Sequence, residues 1–170
     1  MVDAVRILGI DPGLQITGYG VIEAATTGPR VVEAGVIRPS EGGRTTDLAA
    51  RVARLYDGIV EVIETYSPAA MAVEQLYAHY KHPRTAILMG HARGVLLLAA
   101  AMHKMPVTSY ASTRVKKTIT GHGRASKEQM QQAIQREFRL PNPPEPPDVA
   151  DALGVALCHY YIRTKRDSLA

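Results

Sequence analysis

The sequence predicts a mixed α/β fold, one five-stranded sheet flanked by helices. Three observations carry this. Short apolar runs of strand length recur, and two of them end in an acid: Arg6-Ile7-Leu8-Gly9-Ile10 runs into Asp11, and Ala69-Ala70-Met71-Ala72-Val73 runs into Glu74. The first forty residues hold three strand-like segments separated by Gly/Pro turns. After them, helical and strand-like segments alternate, the order of a layered sheet. With 170 residues and 46% apolar content, the chain suffices for a single domain with a proper core.

Taken in order, Val5–Asp11, 17–23 and 30–37 read as strands, with turns at Pro12-Gly13 and Gly28-Pro29. Their short connections make them an antiparallel meander. Positions 45–66 place Leu48, Val52, Leu55, Ile59 and Ile63 at helical spacing. A fourth strand at 69–74 follows, then a long helix over 84–104 and a short strand at Val107–Tyr110. Positions 113–120 and 126–138 are predicted helical, and Ser126 and Gln129 have capping-box spacing. A Pro-rich turn at 141–147 stops that helix, and a last one runs over 148–162. Positions 166–170 are expected to form a disordered tail. Three meandering strands followed by alternating helix and strand is the ribonuclease-H-like order. In it the first and fourth strands are neighbours, which brings Asp11 and Glu74 together.

Composition excludes several classes. A single cysteine, Cys158, rules out an internal disulfide and suits a reducing cytoplasm; its helical setting points to core packing. The start has no basic segment followed by an apolar core, so no signal peptide is expected. The most apolar stretch, 94–102, is too short to span a bilayer. A soluble, cytoplasmic protein is the expectation. The net charge of +4 matters less than its distribution. From position 75 to 127 there is no Asp or Glu, but there are Lys81, Arg84, Arg93, Lys104, Arg114, Lys116, Lys117, Arg124, Lys127 and five of the six histidines. A basic stretch free of acids suits a polyanion held over an acidic site; the plainer reading is a solvated basic face.

The acids themselves are the strongest signal. Asp148 and Asp151, three apart at the start of a helical segment, share one helical face. Joined with Asp11 and Glu74 they would put four anionic groups in one space. Two unit charges about 4 Å apart repel by about 1 kcal/mol in water, and by several-fold more where partly buried. Divalent cations would relieve that, so the pattern points to metal-dependent phosphoryl transfer. Each acid also has an ordinary explanation. Asp11-Pro12-Gly13 is turn chemistry. Glu74 could pair with a nearby Arg or Lys. Asp148 could be a helix N-cap, with Asp151 as favourable charge in the first turn. The Gly-rich strand Thr17-Gly18-Tyr19-Gly20 would let phosphate oxygens approach the backbone, as in actin-like ATPases, though those enzymes need two such domains. Tyr77, His79, Tyr80, Lys81 and His82 form an aromatic and basic run suited to stacking on an exposed base. Lys116, Lys117 and Lys127 flank Gly121-His122-Gly123-Arg124, consistent with phosphate contacts. The helix over 84–104 is apolar nearly all round in its second half, which predicts burial on more than one side, by a second subunit or by the sheet.

Over positions 5–165 the sequence resembles the bacterial RuvC Holliday-junction resolvases. The resemblance is carried by Gly9-Ile10-Asp11-Pro12-Gly13, Thr17-Gly18-Tyr19-Gly20, Ala72-Val73-Glu74-Gln75 and Ala92-Arg93-Gly94-Val95. It continues through Tyr110-Ala111, Val115-Lys116, Thr118, Gly121, Gly123 and Asp148-Val149-Ala150-Asp151-Ala152-Leu153. It implies a homodimer that nicks two opposed strands of a four-way DNA junction, in recombination and repair, with a branch-migration helicase as partner. It implies Asp11, Glu74, Asp148 and Asp151 as catalytic acids holding Mg²⁺ or Mn²⁺, two ions per active site, a choice that suits hard oxygen ligands. Lys116 and Lys127 fall where the family has its important lysines. Tyr77 stands where the family has a Phe wedge, and some members have His at the position of Asp148. Tyr77, Lys81, Arg84, Arg114, Lys116, Lys117, Arg124 and Lys127 are the expected DNA contacts. A nuclease for RNA or other branched DNA and a junction-binding module without catalysis are the alternatives.

Overall fold

The computed structural model describes residues 5–40, 47–76 and 82–167, with side chains to residue 164. Its sheet contains β1 (Val5–Asp11), β2 (Thr17–Ala25), β3 (Gly28–Ile37), β4 (Ala70–Glu74) and β5 (Val107–Tyr110), in the spatial order β3-β2-β1-β4-β5. The first three strands are antiparallel, as short turns require. β4 and β5 return through helices and pair in parallel. The helices are α1 (Leu48–Tyr66), α2 (Pro83–Met102), α3 (Ser112–Thr120), α4 (Lys127–Phe138) and α5 (Pro147–Asp167).

Strand alternation divides the core in two. Leu8, Ile10, Met71 and Val73 face α1 and α2, where Leu55, Ile59, Ala92 and Leu96 close the layer. Ile7 and Ala72 face the other way, onto α3, α4 and α5, where Met130, Ile134, Leu153, Val155 and Leu157 are almost wholly buried. Full burial of each such side chain contributes about 1.5–3 kcal/mol. By the same alternation Asp11 follows Ile7 and Gly9, and Glu74 follows Ala72. Both acids therefore sit on the α5 face, at the ends of adjacent strands whose register pairs Ile10 with Val73.

Capping accounts for the helix starts. Asp47 accepts from the Ala49 amide at the head of α1. Ser126 and Gln129 form the predicted capping box of α4. The buried Gln131 amide donates to the Pro144 carbonyl at 2.9 Å, fixing the Pro-rich segment that leads into α5. α5 continues to Asp167, so positions 166 and 167 of the expected tail are helical; residues 168–170 lie outside the described ones.

One expectation changes. The glycines of β1 and β2 make room for a helix, not for phosphate. A Cβ at Gly9 would lie 2.2 Å from the Ala152 carbonyl oxygen, one at Gly18 would lie 2.1 Å from that of Asp148, and one at Gly20 would lie 2.6 Å from Leu153. Without those side chains the first turns of α5 lie directly on the sheet. For α2, the chain itself buries one side, which leaves the expectation of a second covering surface open. Ala92, Leu96, Ala99 and Ala100 face inward, while Ile87, Leu98 and Met102 are 62%, 54% and 66% exposed. α2 is also apolar over a longer window than 94–102, and by length and composition alone it would pass for a membrane-crossing helix. Its inner side packs against α1 in the same core.

Candidate active site

Three elements deliver the acids to one place. β1 and β4 end side by side at Asp11 and Glu74, and α5 brings Asp148 and Asp151 down onto them. Asp148 lies within the first turn of α5. The Asp11 carboxyl is held well above the usual carboxylate range, first by burial and then by Glu74, Asp151 and Asp148, with Lys127 opposing. Glu74 is pushed up to about 6, first by burial and then by Asp151. Lys116 and a hydrogen bond from Ser112 oppose that rise. Asp151 is raised chiefly by burial, against Lys127 and Lys116, with Asp148 adding to the rise. The four predicted acids therefore share one electrostatic environment, and Lys116 and Lys127 stand at its edge.

The segment after Asp11 is fixed from two directions. The Thr17 hydroxyl donates to the Gly13 carbonyl at 2.6 Å and accepts from the Gly13 amide at 3.0 Å. Arg51 of α1 donates to the Leu14 carbonyl at 2.7 Å. Between Asp11 and Glu74 a cleft of about 20 Å³, also bordered by Gln75, Leu76 and Met89, has room for one water-sized species. A wider cavity of about 500 Å³ adjoins it, running from Asp11 and Asp148 past Gln15, Arg51 and Thr85.

These residues suit a hard divalent cation. The donors are carboxylate oxygens, and those of Asp11, Glu74 and Asp151 are raised by burial and by neighbouring acids, which a cation would oppose. Among the described residues no three acids, histidines or cysteines are arranged as they stand to hold a metal ion together.

The remaining predicted contacts are less focused. Arg84 is exposed in the first turn of α2, and Lys117 and Arg124 are exposed on α3 and in the segment after it. Arg114 lies over the Tyr110 ring at 5.9 Å. Tyr77 and Lys81 lie outside the described residues. Cys158 is fully buried, its thiol donating to the Thr118 hydroxyl at 3.6 Å, as core packing predicts. Sequence reading missed Ser112, whose place one residue after Tyr110-Ala111 gives no sign of the Glu74 contact, and Arg51, thirty-seven positions from the carbonyl it holds.

The family model for crossover junction endodeoxyribonuclease RuvC matches residues 7–159. A protein of that name from Rhodopirellula baltica is 51% identical over 158 residues, covering 92% of this chain and 86% of its own. Another from Desulforamulus reducens is 46% identical over 153 residues, covering 90% and 91%. Among solved structures, Thermus thermophilus RuvC in complex with Holliday junction substrate superimposes with a TM-score of 0.84 at 31% identity, over 95% of this chain and 96% of that one. The fold is ribonuclease-H-like, and the chain belongs to the crossover junction endodeoxyribonuclease RuvC family.

Proposed function

We propose that this chain resolves four-way DNA junctions by hydrolysing one phosphodiester in each of two opposed strands, as a homodimer. The observation that supports it is the meeting of Asp11, Glu74, Asp148 and Asp151 from three elements, with lysines at the rim. Those acids would hold Mg²⁺ or Mn²⁺, two ions per site. When bound, such ions supply water activation for in-line attack and neutralise charge on the departing 3′ oxygen. Lys116 and Lys127 offset negative charge on the phosphate as it reacts. The rigid segment 12–16 keeps Asp11 in place while the strand enters. Arg84, Arg114, Lys117 and Arg124 would hold the DNA backbone, with Lys81 and the stacking residue Tyr77 completing the contact. A branch-migration helicase is the expected partner, and a DNA substrate implies a cytoplasmic site of action.

The dimer reading draws on α2. Ile87, Leu97, Leu98 and Met102 leave an apolar surface that a second copy would cover, and symmetric nicking needs two identical sites. Sedimentation should therefore show a dimer at micromolar concentration, weakened about tenfold or more by Leu98→Lys; a fully active monomer would refute the assembly. The activity itself is tested on a synthetic junction labelled on each strand in turn, with EDTA, Mg²⁺ or Mn²⁺. Paired nicks at symmetric positions, dependent on metal and leaving ends that ligase seals, are expected. Cleavage of an RNA–DNA hybrid with the junction left intact would move the substrate class, and binding without nicking in Mn²⁺ would make the protein a junction-binding module.

A further inference from the structure

The motif Ala92-Arg93-Gly94-Val95 lies on α2, on the opposite side of the sheet from the acids. Arg93 reaches under the strand ends. One guanidinium nitrogen, Nη1, donates to the Glu74 backbone carbonyl at 2.6 Å, and the other, Nη2, donates to the Ser109 hydroxyl at 2.6 Å. The two acceptors belong to neighbouring strands, β4 and β5, which pair Val73 with Ser109 and Glu74 with Tyr110. Arg93 is half-buried, and burial lowers its pKa. Ala92 and Leu96 beside it are fully buried, so packing holds the helix that carries it.

A half-buried guanidinium bonded to two neutral acceptors is an expensive arrangement unless those bonds matter. Neither acceptor is a carboxylate. The Glu74 carboxylate responds instead to Asp151, Lys116 and Ser112 on the far face. Past Glu74 the chain leaves the sheet, with Gln75 and Leu76 exposed and the Gln75 amide bonded to the Tyr110 carbonyl at 2.9 Å. The strand end therefore carries a carboxylate that its neighbours repel, and Arg93 ties that end down from behind.

We propose that Arg93 is a positioning residue: by bridging β4 and β5 from α2 it fixes the Glu74 carboxylate for cation binding, and so connects the metal site to the helix with the bare apolar face. The inference rests on Glu74 being a cation ligand. Arg93 bonds to a backbone carbonyl and a hydroxyl, and it is not among the groups that set the Glu74 carboxylate, so its removal acts on Glu74 chiefly through the strand end.

The test is Mn²⁺ binding to the metal-free protein, followed by titration calorimetry, alongside nicking of a synthetic junction and junction binding in Ca²⁺. Arg93→Met removes both donors at similar volume. It should bind Mn²⁺ about 10–100-fold more weakly, the usual cost of losing a partner that orients a ligand. The nicking rate should fall with it, while junction affinity stays within about twofold and the pH–rate profile keeps its shape. Arg93→Lys, which keeps one charged donor, should recover part of the Mn²⁺ affinity. Arg93→Met with wild-type Mn²⁺ affinity and rate, or with lower thermal stability alone, overturns the inference. Should that variant not fold, Ser109→Ala removes one acceptor and should weaken Mn²⁺ several-fold; unchanged affinity there also overturns it. Glu74→Gln is the control. If it leaves Mn²⁺ affinity and nicking intact, the reading of the acids fails; if it abolishes both and Arg93→Met does not, the positioning role alone fails.

Discussion

Glu23 and Glu74 are both glutamates on this sheet, and their surroundings are opposite. Glu23, on β2, is 6% exposed and lies across from Arg6 of β1 and Arg30 of β3 in register. Arg6 donates to it at 3.2 Å and Arg30 at 2.5 Å, and these bonds lower its pKa. Glu74 faces Asp151 and shares its side of the sheet with Asp11; burial and the Asp151 carboxylate raise it to about 6, and a lysine and a serine hydroxyl are its counterweights. A buried carboxylate flanked by arginines needs nothing from outside the chain. One flanked by carboxylates is incomplete until a cation arrives. The pairing of Glu23 is that of a structural residue, and the unrelieved repulsion around Glu74 is what supports the proposed role of Glu74 in the site.

The largest contrast should be in activity. Glu74→Gln should lower junction nicking by about 10³-fold or more, the scale of losing direct charge stabilisation in a transition state, with junction binding retained. Glu23→Gln should nick at near the wild-type rate once folded, yet melt at a lower temperature. Equal activity of the two variants would erase the distinction.

Gly9→Ala separates the two acids differently. Its Cβ would collide with the Ala152 carbonyl and with Ala156, displacing α5 and its aspartates while leaving Glu23 between its arginines. A loss of about 2–3 kcal/mol in urea unfolding is expected, the usual cost of overpacking. By contrast, a Cβ at Gly94 on α2 meets no atom within 4 Å, so Gly94→Ala should stabilise an isolated subunit by up to about 1 kcal/mol through helix propensity. Destabilisation there would mean that a second copy packs closely on α2.

In metal-free protein the two glutamates should also give stability opposite pH dependences. The Glu74 pKa is raised on folding, so its contribution is complete below about 4.5 and is lost as pH rises to about 6, a change of about 2 kcal/mol. Asp11 and Asp151, raised too, act in the same direction. Glu23 is lowered on folding, so its contribution is present above about 4.5 and is lost as pH falls through its depressed folded value. Melts in EDTA should show Glu74→Gln flattening the upper window and Asp11→Asn melting above wild type at pH 7.5. Added Mg²⁺ should stabilise the wild type more than either variant. A wild type that melts above Asp11→Asn in EDTA would show that the acids are not strained.

The smallest effects are at the rim. Lys116→Ala and Lys127→Ala should each reduce the slope of log junction affinity against log salt by about one unit if the lysine touches phosphate in the bound state. An unchanged slope with an unchanged rate would return that lysine to the solvated surface.

Much of the arrangement was legible in the sequence because it is written in local repeats. Short apolar runs of strand length marked β1 and β4, helical spacing marked α1, and the capping box marked the start of α4. Asp11 and Glu74 stood out because each ends an apolar strand, and Asp148 and Asp151 because three residues separate them on a helix. What stayed hidden depends on partners distant in sequence. The glycines of β2 looked suited to phosphate, since nothing near them in the chain announces the carbonyl of Asp148 or the side chain of Leu153. The apolar second half of α2 suggested burial on more than one side, by a second subunit or by the sheet, since composition does not say how many sides of a helix its own chain will cover.

By itself, then, the sequence determined the strand and helix pattern and the four acids, since backbone periodicity and residue type act within a few residues of each position. Tertiary structure alone decided which carboxylates met arginines and which met one another. It also set α5 against bare glycine backbone, left one side of α2 uncovered and placed Arg93 behind Glu74. Those outcomes turn on which distant surfaces come within bonding distance, and interactions of about 3 Å range are fixed only once the sheet has closed.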